Sequence, residues 1–246
     1  MTDRKIPFTD IHTHILPGVD DGARDMEESL EMLEIAHGEG IRRIILTPHY
    51  HSEQNQYDSE KLDDLFAALR RKAAAKFPDM ELYLGNEVMY SFHTVKDLRE
   101  RKIHTMNGTR YVLVEYLPEV SLQAIKQSIG DLQRAGWVPV IAHIERYLCL
   151  AEKKSSIAEI KAMGAYLQMN TNSLVRKSLF DKRVKWCRRL VGNGDITFLG
   201  TDAHSASYRT PECAEAMDWL DEALDKEIRY HILYGNADKM LRDEII

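Results

Sequence analysis

What most constrains the fold of this chain is a repeating alternation: a short apolar run, a polar loop, then a helix-patterned stretch, seven times over with no linker between units. The runs read as strands are 8–12, 43–47, 81–86, 111–115, 138–143, 166–170 and 197–200. Each is rich in β-branched and aromatic residues and bounded by turn or cap residues, as strands buried in a parallel sheet are. Between them the stretch 26–39 carries Met26, Leu30, Leu33 and Ala36 on one face and stops at Gly40, a residue suited to ending helices. The stretch 59–76 begins at Ser59, a cap-type residue, and stripes Leu62, Leu65, Phe66 and Leu69. Further helices are expected over 121–135, from Ser121 to Gly136, and over 157–163, ending at Gly164. Strands alternating with helices demand crossovers and a parallel sheet. Seven units in 246 residues without a domain break point to an α/β fold, a closed or nearly closed barrel formed by one domain spanning 1–246.

In such a barrel the C-terminal strand ends converge on one face, and the ionisable residues of this chain sit at those ends. His12 and His14 close the first run, His49 follows the second, Glu87 the third, Glu115 ends the fourth, His143 the fifth, and Asp202 and His204 follow the last. His-x-His on extended backbone lets both imidazoles face one way, and Asp202-x-His204 repeats the geometry. Holding four or more histidines beside three carboxylates on one face is costly without cations. Imidazole and carboxylate without thiolate suit zinc, manganese or iron. The number of such residues implies more than one ion, with a carboxylate such as Glu87 bridging.

The remaining histidines read differently. His37 lies near a helix end and belongs to the surface, favoured there by the helix dipole. His93, His104 and His231 have no matching partners, and His51 lines the pocket without being a ligand. Asn170 and Asn172 are open to two roles, contact with substrate and neighbouring groups or a structural turn.

Composition narrows the function. The net charge of −6 argues against a nucleic-acid surface, although cations in an acidic pocket can still receive an anion. Cys149, Cys187 and Cys213 are odd in number and lack metal-type spacing, which fits a reducing, cytoplasmic compartment. The N-terminus carries no signal-peptide pattern and no run reaches the length of a membrane span. A cysteine-phosphatase loop needs Cys-x5-Arg; the residues at the arginine position are Ser155, Asn193 and Trp219, so none fits.

Several segments together resemble the polymerase-and-histidinol-phosphatase (PHP) superfamily. They are Asp10-Ile-His-Thr-His-Ile-Leu-Pro-Gly-Val-Asp-Asp-Gly22, Thr47-Pro-His49, Gly85-Asn-Glu87, Arg110-Tyr-Val-Leu-Val-Glu115, Pro139-Val-Ile-Ala-His-Ile-Glu-Arg-Tyr147 and Thr201-Asp-Ala-His204. Within the superfamily the chain is similar, over essentially its whole length, to the bacterial tyrosine-protein phosphatases of capsular and exopolysaccharide gene clusters. The resemblance implies a distorted (β/α)7 barrel and a site for two or three divalent ions, manganese first, with iron or zinc compatible. It assigns His12, His14, Glu87 and Asp202 to one ion, Asp21, His49 and His204 to a second, and Glu87, Glu115 and His143 to a third. Spacing alone does not choose Asp21 over Asp20; the family pattern does. It also makes Arg146 and Arg209 phosphate contacts, metal-activated water the nucleophile, and the phosphotyrosine tail of a bacterial tyrosine kinase the partner. Rival expectations are a histidinol-phosphate or other small-molecule phosphatase, a nuclease-type phosphodiesterase, a C–N hydrolase on a related metal barrel, and a non-catalytic regulator of the polysaccharide machinery.

Overall fold

A computed structural model describes residues 6–52, 54, 58–153, 155–175 and 181–246; the N-terminal residues 1–5, part of the reading on signal peptides, lie outside them. The strands are β1 (Phe8–Thr13), β2 (Ile41–Leu46), β3 (His49–Tyr50), β4 (Glu81–Leu84), β5 (Glu87–Met89), β6 (Tyr111–Glu115), β7 (Val138–Ile141), β8 (Tyr166–Asn170) and β9 (Phe198–Gly200). The α-helices are α1 (Met26–Gly38), α2 (Ser59–Lys76), α3 (Thr94–Arg99), α4 (Leu122–Arg134), α5 (Leu148–Glu152), α6 (Ser156–Ala162), α7 (Lys182–Gly192), α8 (Ala214–Ala223), α9 (Lys226–Tyr230) and α10 (Asn236–Leu241). No helix among the described residues is long and apolar enough to cross a membrane.

Every strand pairing is parallel. The order is β1-β2-β4 in one sheet and β3-β5-β6-β7-β8-β9 in the other. The expected strands 43–47 and 81–86 correspond to β2 and β4, and each is followed after a two-residue break by a short strand not expected, β3 or β5, for local reasons. Pro48 cannot donate a ladder hydrogen bond, so the run containing β2 breaks at Thr47-Pro48 and resumes as β3. Its neighbour breaks alongside: Gly85 N–H still donates to Leu46 O at 2.8 Å, after which the Asn86 side chain takes over, donating to Pro48 O at 2.9 Å. At the far edge Thr13 bridges Ala203, while Asp202 N–H donates to His12 O and His14 N–H to Ala203 O, both at 2.8 Å. The parallel sheet therefore curls until the exit of β9 meets β1. Asp10 reinforces the seam, its carboxylate accepting from Thr201 N–H at 2.9 Å and from the Thr201 hydroxyl at 2.5 Å.

Side-chain alternation splits the interior in two. Ile44, Leu46, Val112 and Val114 face outward against the helices, in the larger cluster with Leu33, Leu69 and Ile129. Ile11, Ile45, Leu113, Val140 and Phe198, from five strands, point inward and pack with Ala237 and Met240 of α10. Burial of one such aliphatic side chain contributes about 1.5–3 kcal/mol relative to exposure. The chain end seals the floor: the Tyr111 and Tyr166 hydroxyls, at the starts of β6 and β8, donate to Glu244 O at 2.6 Å and Ile246 O at 3.0 Å. The opposite rim, where strands end, is left for chemistry.

Helix ends differ from expectation in one detail. Asp58, not Ser59, caps α2, its carboxylate accepting from Lys61 N–H at 2.8 Å. Ser121 caps α4 as expected, accepting from Ala124 N–H at 3.1 Å, and Gly40 follows α1 at φ +88°.

Candidate metal centre

The eight residues expected at the strand ends lie on that rim, together with Asp21, which the resemblance implied. Glu87 is the hub: its Oε1 is 2.7 Å from His143 Nε2, and its Oε2 is 3.1, 3.2 and 3.2 Å from His12 Nε2, His14 Nε2 and His49 Nδ1. Glu115 reaches His49 Nδ1 at 2.9 Å and His143 Nε2 at 3.5 Å. Asp202 Oδ1 lies 3.6 Å from His12 Nε2 and 3.5 Å from His14 Nε2. Asp21 Oδ1 lies 3.5 Å from both His49 Nε2 and His204 Nε2. The side chains converge in groups able to hold an ion: His12, His14, Glu87 and Asp202; His14, Asp21, His49 and His204; Glu87, Glu115 and His143. A further group of His49, His51 and Glu115 brings in His51, which sequence reasoning kept off the ligand set.

The donor spacing suits a cation. The Nε2 atoms of His12 and His14 are 3.3 Å apart, and two nitrogens at ordinary zinc distances on one tetrahedral ion stand about 3.3 Å apart. Asp202 Oδ1 is buried and accepts no hydrogen bond among the described residues, a costly state for a carboxylate oxygen unless a cation meets it. Burial alone would raise the Glu87 carboxyl, yet His12 and His143 hold it well below the usual range. Asp202 is likewise held low against burial by His12 and His14. Conversely, burial disfavours charge on His143, but Glu87 and Glu115 push it up to about 9.

Neighbouring groups aim the imidazoles, a layer that sequence reasoning missed. Gln168 Oε1 accepts from His143 N–H at 2.6 Å and lies 3.2 Å from His12 Nδ1, turning His12 Nε2 inward. Asp20 Oδ2 is 2.8 Å from His14 Nδ1 and accepts from His49 N–H at 2.9 Å, so Asp20 orients while Asp21 faces His49 and His204. The Tyr147 hydroxyl lies 3.3 Å from His143 Nδ1 and accepts from Tyr116 N–H at 3.1 Å. A sequence signal existed for Gln168: Gln168 and Asn170 alternate with Leu167 and Met169 along a fully buried stretch, so one face of that strand had to be polar.

Backbone strain gathers here too. His143 at φ +28°, Asp202 at +55° and Arg209 at +54° adopt left-handed conformations that non-glycine residues seldom take. Gly200 permits close approach: a Cβ there would stand 2.6 Å from His12 Cβ and 3.2 Å from His12 N. Gly200→Ala must displace His12, so we expect metal affinity to fall about 10–100-fold, comparable to losing an orienting contact. Metal titration of the refolded variant checks this; unchanged affinity would show the strand gives way instead.

Arg146 and Arg209 both meet Asp202 Oδ2, on the side away from the histidines. Arg146 Nη2 hydrogen-bonds it, and Arg209 Nη2 lies 2.6 Å from it without aligning a hydrogen bond. Asn170 Nδ2 donates to the same oxygen at 2.8 Å and Asn170 Oδ1 accepts from Gln168. Asn170 thus supports the cluster, whereas Asn172 lines a hollow of about 490 Å³ beside the two arginines. Of the other histidines, His37 pairs with Asp79 at 2.9 Å and His104 with Asp63 at 3.0 Å, both outside the metal-type groups; for His104 the expectation of no partner is corrected, because α2 brings Asp63 across to it.

Comparison with known proteins agrees with this architecture. A family model described as capsular polysaccharide synthesis, CpsB/CapC, matches residues 8–242. Tyrosine-protein phosphatase CpsB of Streptococcus agalactiae is 30% identical over 241 residues, covering 96% of this chain and 99% of that protein. Tyrosine-protein phosphatase YwqE of Bacillus subtilis is 32% identical over 238 residues, covering 96% and 92%. A solved structure described as YwqE from Bacillus subtilis and CpsB from Streptococcus pneumoniae, unique metal-dependent tyrosine phosphatases, superposes with a TM-score of 0.87 at 31% identity, covering 97% of this chain and 96% of that one. The chain belongs to the CpsB/CapC family of capsular polysaccharide synthesis proteins.

Proposed function

We propose that residues 1–246 form one catalytic domain, a metal-dependent protein-tyrosine phosphatase on a distorted (β/α)7 barrel in which β2 with β3, and β4 with β5, each count as one broken strand. The observation that carries the reading is the two-sided Asp202: one oxygen faces the imidazole cluster and the other faces two arginines. That juxtaposes a place for cations with a place for a phosphoryl group. His12, His14, Glu87 and Asp202 would hold one ion, Asp21, His49 and His204 another, and Glu87, Glu115 and His143 a third. Manganese is the expected ion, and the nitrogen and oxygen donors also accept iron or zinc. Bound divalent ions supply water activation and neutralise phosphoryl oxygens.

The chain's own residues do the rest. Arg146 and Arg209 receive the phosphoryl oxygens through charge-assisted hydrogen bonds. Asn170 and Gln168 keep Asp202 and His12 in position while the arginines change partner. The adjoining hollow, with Asn172 and Tyr208 on its wall, takes the tyrosyl ring. A phenolate leaving group, with a pKa near 10, departs with less need of a proton than an alkoxide. Cys149 and Cys187 are poorly suited as nucleophiles, since burial raises both thiols, that of Cys187 to about 12. The substrate is proposed to be a phosphotyrosine protein, the autophosphorylated cytoplasmic kinase that regulates capsule or exopolysaccharide synthesis.

Chelation should abolish hydrolysis of an aryl phosphate and added Mn²⁺ should restore it; turnover persisting in metal-stripped protein would remove the mechanism. Comparing kcat/KM on a phosphotyrosine peptide with that on histidinol phosphate separates protein phosphatase from small-molecule phosphatase.

A further inference from the structure

Two hollows meet at the arginine side of the rim. The inner one, about 490 Å³, reaches Tyr208 and Arg209; the outer one, about 410 Å³, is lined by Leu148, Lys182 and Trp186. They share Glu145, Arg146 and Arg183, so the phosphate-facing arginine opens directly onto an outer groove.

The charge of that groove is local and unspent. The chain carries −6 overall, yet Lys182 and Arg183 are exposed and carry no ion pair among the described residues. Both occupy the first turn of α7, which holds no acidic residue. The helix dipole disfavours cations there, so helix stability does not account for them. Two carboxylates face the groove. Asp181 caps α7, accepting from Arg183 N–H and Val184 N–H at 3.1 Å. Glu145 Oε1 accepts from Asn170 N–H at 3.0 Å and from the Ser173 hydroxyl at 2.8 Å. Arg146 and Arg209 are engaged by Asp202, which among the described residues lining the two hollows leaves Lys182 and Arg183 as the cations open to a partner. Beside them Leu148 is 58% exposed.

We propose that this groove binds the peptide flanking the phosphotyrosine and selects acidic side chains there, with Lys182 and Arg183 meeting carboxylates and Leu148 and Trp186 covering the adjacent apolar side chain. The inference rests on the phosphatase reading and adds the determinant of which phosphotyrosines are taken. Lys182 lines only the outer groove, so its effect falls on peptide KM and not on small substrates, whereas Arg183 stands where the two hollows join.

The test uses the full, Mn²⁺-loaded chain and two phosphotyrosine peptides that differ only in flanking Glu against Gln, with p-nitrophenyl phosphate as the flank-free substrate. Wild type should favour the acidic peptide roughly fivefold in kcat/KM, the range two exposed ion pairs supply, and added salt should shrink the preference. K182Q/R183Q should erase it and Lys182→Glu should invert it, the latter, confined to the outer groove, with p-nitrophenyl phosphate turnover unchanged. Equal turnover of both peptides by wild type, or a preference surviving in K182Q/R183Q, overturns the docking surface alone. No hydrolysis of p-nitrophenyl phosphate by the loaded wild type overturns the phosphatase reading, and the docking surface with it.

Discussion

Glu87→Gln should leave a folded protein that retains little metal and hydrolyses aryl phosphates about a thousandfold more slowly, the loss of several kcal/mol of metal-derived stabilisation. Glu87 lies within 3.2 Å of four imidazoles and is 1% exposed. Glutamine keeps the shape, removes the charge, and turns an N–H₂ toward nitrogens that need an acceptor. His14, His49 and His143 lose a carboxylate that favours their charged form, so the metal-free site is weakened as well; breaking a buried pair from one side costs about 3–5 kcal/mol. Metal analysis and thermal unfolding of stripped and loaded protein read the two effects separately. Wild-type metal content with wild-type turnover would remove Glu87 from the centre of the site.

Arg146→Ala combined with Arg209→Ala should lower kcat/KM about 10²–10⁴-fold, two charge-assisted hydrogen bonds to a phosphoryl group at about 1.5–3 kcal/mol each. Metal content should hold, because both guanidinium groups meet Asp202 Oδ2 and leave Oδ1 facing the imidazoles. The single variants should not sum to the double, since both guanidinium groups meet the same Asp202 oxygen and one can compensate for the other. Inhibition by inorganic phosphate should weaken in parallel with turnover. If metal is lost along with activity, the arginines serve to hold Asp202 and not the substrate.

Much of this architecture is legible in the sequence because parallel strands turn periodicity into position. Once the runs ending at His12, Glu115 and His143 are read as strands, their ends must share a rim, whatever their separation along the chain. What escapes is set by geometry that periodicity does not carry. Asp20 and Asp21 are adjacent, and only the local turn decides that one bonds His14 while the other faces His204. Tyr147 reaches His143 across a single turn of 3-10 helix at a left-handed residue. The broken strands are an intermediate case: Pro48 announces its break, but the matching break at Asn86 follows from the neighbour across the sheet.

The seam between β1 and the exit of β9 has a bearing on biosynthesis. Asp10 and Thr201, bonded to each other, are separated by 191 positions, and the floor helix α10 comes still later. On the ribosome, β1, which carries His12, precedes β2 to β8 and waits for all of them before its second neighbour, β9, arrives. The metal groups that include Asp202 or His204 therefore assemble only after β9 has emerged, and until then the nascent chain meets metal ions with those groups unformed.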